Sequence, residues 1–182
     1  MRRKAFIGLL LVGCLWLRAQ DRYRTDRGEI HFNASTPLED IDAVNQKASA
    51  ILVPETGDFA VVLLISEFNF RRKLMQEHFN ENYMESETYP KATFRGRIKE
   101  LDIQALSAEK KEFPVQGSMT IHGVTREIGT HATFTRQEDY LIMTASLIIA
   151  PEDYGIKVPK LVFAKIARKM AVDVSFQLEP QP

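Results

Sequence analysis

Alternating hydrophobic and polar positions dominate the chain after residue 30 and predict β-strands. Ile30, Phe32 and Ala34 alternate with polar neighbours at the start of this region. Farther along the chain, five more stretches place an apolar residue at nearly every second position. These stretches are residues 92–98, 115–121, 128–134, 141–149 and 170–178. The pattern is typical of antiparallel strands with one face toward a core.

One stretch of the chain does not alternate. Residues 59–65 are apolar at every position, which predicts a strand covered on both faces. Turn-forming residues at 54–58 precede it, and residues 50–53 are the expected partner strand.

The period changes to that of an α-helix between residues 70 and 84. Apolar side chains recur there at helical spacing and charged residues lie between them, which predicts one amphipathic helix. Its apolar face consists of Phe70, Leu74, Met75, His78 and Phe79. The pattern is compatible with a lid over a barrel mouth and equally with packing on the outside of a sheet.

Short turns separate most of the strands and favour hairpin order. His122-Gly123 predicts a tight turn, because glycine accepts a positive φ, and residues 137–139 predict another. A sheet of about seven or eight strands loses its exposed edges by closing on itself. The predicted fold is therefore mainly β, an antiparallel barrel of about eight strands with one helix. A barrel of that size just holds one slender ligand.

The first 19 residues have the pattern of a secretory signal peptide. A basic start at residues 2–4 is followed by an apolar run to Leu17 and then by Ala19. The run is shorter than the roughly 20 residues that a membrane-spanning helix needs. Cleavage after Ala19 predicts a periplasmic or secreted protein, with residues 20–182 as a single domain and no transmembrane segment.

A second processing route stays open. Leu11-Val12-Gly13-Cys14 resembles a bacterial lipobox, in which Cys14 carries lipid and anchors the protein to a membrane. Cys14 is also the only cysteine. A chain cleaved after Ala19 therefore has no thiol, and disulfides, thiolate catalysis and cysteine metal sites are then excluded.

Composition and charge narrow the class of partner. The 182 residues are 45% hydrophobic and 26% charged, as in an ordinary globular domain. The whole chain has 24 basic and 24 acidic residues, and residues 1–19 contain four basic and no acidic ones. The mature chain is thus left with 20 basic and 24 acidic residues, a net charge of −4. This charge argues against nucleic acid as a partner, because its binding depends on neutralising phosphates with basic groups.

Three motifs, in order, resemble those of YceI-like proteins. They lie at residues 74–94, 117–126 and 153–156. The third reads Asp-Tyr-Gly-Ile, with tyrosine in place of the family's usual phenylalanine. The likeness extends from about residue 30 to residue 178. It implies a lipocalin-like β-barrel, usually exported, that encloses a long apolar molecule such as a polyisoprenoid or a fatty-acid derivative. Many members have a His-Ser pair in the first strand, and this chain departs from them there.

The predicted ligand-binding residues are the apolar face of the helix and the inward positions of the strands. They are Phe70, Leu74, Met75, Phe79, Phe94, Met119, Ile121, Phe134, Leu141, Met143, Val172, Val174 and Phe176. An inward apolar face is needed for any core, so each of these residues either packs the barrel or contacts ligand. Candidates for contact with a ligand head group at the mouth are Lys91, Arg95, Arg97 and Tyr154.

The sequence lacks the patterns that mark common catalytic and metal sites. It contains no HExxH, no GxSxG and no glycine-rich phosphate loop. By alternation, His31 and His131 are expected on the outer face of the barrel. We therefore predict no catalytic residue, metal or cofactor, and a non-catalytic protein that binds and carries a hydrophobic small molecule. A protein-interaction module without a lipid ligand and a lipid-modifying enzyme are the alternatives, and a homodimer stays open.

Overall fold

The computed structural model describes residues 22–159 and 165–181. The predicted signal peptide, including Cys14, lies outside these residues. Nine strands are described, together with one short helix, α1, at Lys73–His78 that continues as a π-helical turn at Phe79–Tyr83. The strands are β1 (Arg22–Asn33), β2 (Asp42–Val53), β3 (Asp58–Leu64), β4 (Asn69–Phe70), β5 (Lys91–Ile98), β6 (Lys111–Ile121), β7 (Val124–Gln137), β8 (Tyr140–Ile149) and β9 (Met170–Gln181).

Eight of the strands form a closed antiparallel barrel. Their order around the barrel is β1-β9-β8-β7-β6-β5-β3-β2, and β1 also pairs with β2 to close the ring. The two-residue strand β4 pairs with the start of β2, outside the ring. The predicted fold, an antiparallel barrel of about eight strands with one helix, is confirmed. Closure leaves no open edge on the eight-stranded sheet.

The hairpin between β6 and β7 has the predicted tight turn. Ile121 pairs with Val124, so only His122 and Gly123 form the loop. Both have a positive φ, 50° and 74°. Two successive residues with positive φ make a type I′ turn, whose twist matches that of the flanking strands.

The two ends of the barrel are built differently. We call one end the lid end, because α1 and β4 lie there, and the other the closed end. The lid end contains Asn33, Asp42, Leu64, Ile121 and Ile149. Large side chains that are less than 2% exposed pack the closed end; among them are Leu52, Ile98, Phe134, Leu141 and Leu178. The interior is thus filled at one end only.

Two predictions about local structure need correction. The stretch expected to be covered on both faces, at residues 59–65, has only one buried face: Phe59 and Leu63 are buried, whereas Val62 and Leu64 are 38% and 41% exposed. A barrel wall has solvent on its outside, so the outward positions of β3 are uncovered. The helix is also shorter than the predicted span of residues 70–84, because Phe70 belongs to β4.

Candidate functional site

A cavity of about 590 Å³ occupies the lid half of the barrel. Its volume falls within the roughly 300–1,000 Å³ typical of small-molecule pockets. Side chains from strands all around the ring, such as Ile30 of β1 and Val174 of β9, line it. The lining is almost entirely apolar, and the cavity is suited to an apolar molecule.

Three aromatic rings form the floor of the cavity. The centroid of the Phe59 ring lies 6.2 Å from that of Phe94 and 5.9 Å from that of Phe176. All three rings line the cavity and are buried. The packed side chains of the closed end lie beyond them, so the cavity opens toward the lid end.

Four more phenylalanines fasten the lid. The ring of Phe32 in β1 lies 5.2 Å from Phe68, 5.7 Å from Phe70 and 5.4 Å from Phe79, measured between centroids. Phe79 in turn contacts Phe68 at 5.7 Å and Phe70 at 5.0 Å. These edge, tilted and stacked contacts are favourable geometries for aromatic pairs. The cluster joins the π-helical turn after α1 to the barrel wall.

Helix α1 covers the opening rather than packing on the outside of the sheet. Leu74 and Met75 both line the cavity, yet no residue of α1 is buried and Leu74 is 62% exposed. A side chain that lines a cavity and still reaches solvent lies at its opening. The helix therefore acts as a thin lid.

A small charged group borders the apolar cavity at its mouth. Glu39 from the β1–β2 loop forms an ion pair with Arg72, which precedes α1. The Nζ atom of Lys165 lies 4.0 Å from Oε2 of Glu39. All three residues line the cavity. The hydrogen bond from Arg72 is the main cause that lowers the pKa of the Glu39 carboxyl below its usual value; desolvation opposes the shift, and the charges of Arg72 and Lys165 add to it.

Other polar side chains lining the cavity are few. They include His78 and Tyr83 in the lid segment and Thr130 in the wall. Burial raises the pKa of the Tyr83 phenol. A mainly apolar lining with a small number of polar groups is typical of a small-molecule site.

The structure places most of the predicted ligand-binding residues on the cavity wall. Eleven line it: Phe70, Leu74, Met75, Phe79, Phe94, Met119, Ile121, Met143, Val172, Val174 and Phe176. Phe134 and Leu141 do not. They point inward as predicted, but both are fully buried in the closed end, where packing leaves no space for a ligand. Contact with a ligand stays a prediction for the other eleven.

The candidate head-group residues lie elsewhere. Lys91, Arg95 and Arg97 are exposed and do not line the cavity, because they alternate with the inward positions of β5 and so face outward. Arg97 is paired there with Asp58 at 3.0 Å. Tyr154 is buried in the turn after β8, also outside the cavity lining.

Sequence reasoning missed the charged group at the mouth and part of the aromatic cluster. Phe32 could have been predicted to line the cavity, because it lies in an alternating stretch, as the predicted residues of the strands do. Phe68 did not, because it lies in the irregular connection between β3 and α1. Glu39, Arg72 and Lys165 come from three distant segments, and no spacing rule brings such residues together.

The histidines of β1 and β7 lie on the outer face, as expected from alternation. Nε2 of His31 lies 2.5 Å from Oδ2 of Asp42, at the start of β2. His131 is exposed. Within the described ranges, no three His, Cys, Asp or Glu side chains come together in a way that could hold a metal ion. The same ranges contain no helix that is both long and apolar enough to cross a bilayer.

A closed antiparallel barrel of eight strands with an apolar, lidded cavity defines a lipocalin-like binding protein. Comparison with known families matches residues 23–178 to the YceI-like domain. The chain therefore belongs to the YceI-like family, and the resemblance seen in its motifs is confirmed. No curated protein sequence matches it significantly.

Solved structures share the fold at low sequence identity. A polyisoprenoid binding domain from Saccharophagus degradans, implicated in plant cell wall breakdown, has a TM-score of 0.77 and 17% identity, covering 89% of this chain and 99% of that domain. BcnA of Burkholderia cenocepacia has a TM-score of 0.69 and 15% identity, over 83% of this chain and 95% of BcnA. The Campylobacter jejuni YceI protein has a TM-score of 0.56 and 14% identity, over 76% of this chain and 83% of its own.

Proposed function

We propose that this protein binds and carries a long apolar molecule, a polyisoprenoid or a fatty-acid derivative, without changing it chemically. The observation that carries the proposal is the lidded apolar cavity of about 590 Å³. Each Å² of apolar surface moved from water into such a cavity gains about 25 cal/mol. Part of that gain offsets the lost freedom of the ligand. The polyisoprenoid-binding domain from Saccharophagus degradans, which has the same fold, supports the ligand class.

The composition of the wall supports a flexible ligand. Five methionines line the cavity: Met75, Met84, Met119, Met143 and Met170. Methionine is unbranched and polarisable, so it adapts to irregular apolar shapes. A chain with many rotatable bonds or methyl branches fits such a wall better than a rigid ring system does.

The cavity also bears on the two alternatives. A protein-interaction module is expected to have a rigid barrel with a filled interior. The cavity in the lid half of this barrel therefore favours a ligand. An enzyme acting on a lipid needs a nucleophile or base aimed into the cavity. Glu39, the carboxylate at the mouth, is paired with Arg72 and Lys165, and His78, which also lines the cavity, is exposed on the lid; this arrangement supports binding without chemistry.

Ligand uptake can be tested by filling the cavity. Native mass spectrometry of detergent-free protein should show a 1:1 adduct after incubation with geranylgeraniol or oleic acid. Ala145→Phe places a ring in the cavity and should abolish the adduct, because Ala145 lines it. Ala60→Phe is the matched control, since Ala60 lies on the outward side of β3 and does not line the cavity. Circular dichroism checks that both variants are folded.

The experiment distinguishes binding inside the cavity from binding elsewhere and from no binding. An adduct with the unmodified protein and with Ala60→Phe, and none with folded Ala145→Phe, supports the proposal. No uptake of either lipid by the unmodified protein overturns it and redirects the search to protein partners. Equal uptake by both variants means that the lipid binds outside the barrel, which also overturns it.

We further propose that the protein acts outside the cytoplasm, after removal of residues 1–19. The basic start and apolar run of this segment support export. The intact mass of protein recovered from bacterial cells decides between the two routes. A mature N-terminus at Gln20 indicates cleavage after Ala19, whereas a lipid-modified Cys14 indicates a lipoprotein. A full-length chain in the cytoplasm contradicts export.

A further inference from the structure

The charge at the cavity mouth is unbalanced. Leaving the histidine aside, the charged residues that line the cavity in the described part of the chain are Glu39, Arg72 and Lys165. They amount to one negative and two positive charges. An excess positive charge at the mouth of an apolar cavity favours an anion there.

The two cations keep hydrogen-bond donors for a ligand. Arginine has five N–H donors and lysine has three. Arg72 bonds to one oxygen of Glu39 through a single guanidinium nitrogen. Lys165 lies 4.0 Å from the other oxygen, beyond hydrogen-bond distance, so its attraction to Glu39 uses none of its donors. Glu39 thus holds two cations on either side of one carboxylate without satisfying them.

Two neighbouring acids lie beside the mouth, and each contacts a partner of its own. Asp40 is 3.4 Å from Arg71, and Asp42 is 2.5 Å from His31. Both acids line a depression beside the lid, which Arg72 also borders, and not the main cavity. The partners of these acids, Arg71 and His31, do not line the main cavity either.

Solvent reaches both cations. Arg72 is 58% exposed and Lys165 is 57% exposed. They border the opening, whereas the floor of the cavity is apolar. A ligand with its tail on the floor therefore presents its head to them. Charge-assisted hydrogen bonds from guanidinium or ammonium to an oxyanion are roughly twice as strong as neutral ones.

We propose that the ligand of this cavity carries an anionic head group, a phosphate or a carboxylate, which Arg72 and Lys165 hold at the mouth. Glu39 positions the two cations. This inference rests on the proposed function, because the apolar tail supplies most of the affinity. It names the class of ligand that the barrel selects: an apolar chain ending in an anion.

Two pairs of lipids that differ only in the head group test the inference. They are oleic acid with oleyl alcohol, and geranylgeranyl phosphate with geranylgeraniol. Competition against a fluorescent lipid should give an affinity at least about tenfold higher for the anion of each pair at low salt. The preference should shrink as salt is added, since the mouth is exposed and screened. The pair with the larger ratio tells whether carboxylate or phosphate is the better head.

Variants assign the effect to residues. The double variant Arg72→Gln, Lys165→Gln should bring the ratio of anion to alcohol affinity to about one. Lys91→Gln, which removes an exposed cation outside the cavity lining, should leave the ratio unchanged. The salt dependence of the unmodified protein tests the same point if the double variant does not fold.

Failure of the inference differs from failure of the proposed function. Equal affinity for anion and alcohol, with both bound, overturns the anionic head group and leaves the carrier function standing. A preference that persists in the folded double variant overturns the assignment to Arg72 and Lys165. If neither member of either pair binds, the proposed function itself fails.

Discussion

The ring of Phe176 lies against the bare backbone of Gly28. A Cβ atom built at Gly28 would come within 2.3 Å of Cδ1 of Phe176 and 3.0 Å of the carbonyl oxygen of Ala48. Real Cβ atoms do not approach other atoms at 2.3 Å. The register of β1 shifts on either side of Gly28, so the strand bends where the floor of the cavity needs space for this ring.

Gly28→Ala should therefore destabilise the protein. The added methyl group must displace Phe176 into the cavity or move β1, and overpacking of this kind costs about 1–3 kcal/mol. Thermal or chemical unfolding measures the loss. Gly129→Ala is the matched control, because a Cβ there meets nothing closer than 3.8 Å. Equal stability of the two variants would contradict the packing role of Gly28.

Phe79→Ala should release the lid. Phe79 contacts three other rings, and each such pair contributes about 0.5–1.5 kcal/mol beyond its buried area. We expect a loss of about 2–4 kcal/mol and faster hydrogen exchange at residues 73–83. Leu74→Ala, which truncates a mostly exposed side chain of the same segment, should change stability by no more than about 0.5 kcal/mol. Unchanged exchange in Phe79→Ala would show that the cluster does not hold the lid.

Leu141→Ala and Met143→Ala should have different effects, although the residues lie two apart on the same face of β8. Leu141 is fully buried in the closed end, and its truncation should cost about 2–5 kcal/mol while ligand affinity stays unchanged. Met143 lines the cavity, so its truncation should alter affinity for geranylgeraniol. Unfolding and lipid competition measure the two properties. A change in affinity for Leu141→Ala would place the cavity deeper than the structure does.

That pair shows what alternation along the sequence predicts and what it does not. A period of two assigns a face, and Phe134, Leu141 and Met143 all point inward as predicted. Depth along the barrel axis depends on strand tilt and on where large side chains meet across the interior, which no single strand specifies. The sequence therefore predicted the barrel, one helix and eleven residues of the cavity wall. It did not separate the filled end from the open one.

The charged group at the mouth could not be predicted, for a different reason. Glu39 lies in a loop, Arg72 before a short helix and Lys165 near β9. Their meeting depends on how three connections fold over one mouth. The predicted head-group residues of β5 instead followed strand geometry and faced outward.

Tyr154→Phe should flatten the alkaline limb of the stability profile. Burial, with a smaller contribution from Asp153 and an opposing one from Arg126, raises the pKa of the Tyr154 phenol above its ordinary value of 10.0. The folded protein thus holds this proton more tightly than the unfolded chain does. Stability is unaffected below pH 10 and falls as the pH rises from there toward the folded-state pKa.

Chemical unfolding at several pH values between about 8 and 11 checks this expectation. The unmodified protein and Tyr154→Phe should have similar stability at the lower end, where the phenol is neutral in both the folded and the unfolded state. Toward the upper end the unmodified protein should lose stability more steeply. Parallel profiles would contradict the expectation.

The three rings of the floor, Phe59, Phe94 and Phe176, make the barrel a cul-de-sac rather than a tunnel. A long molecule must enter and leave through the mouth at the lid end, so the end that enters first leaves last. The distance from the three rings to the mouth then selects the length of the ligand's apolar tail. If the tail is too short, the head group of the ligand stays inside the cavity, away from water. If the tail is too long, it keeps the lid from closing.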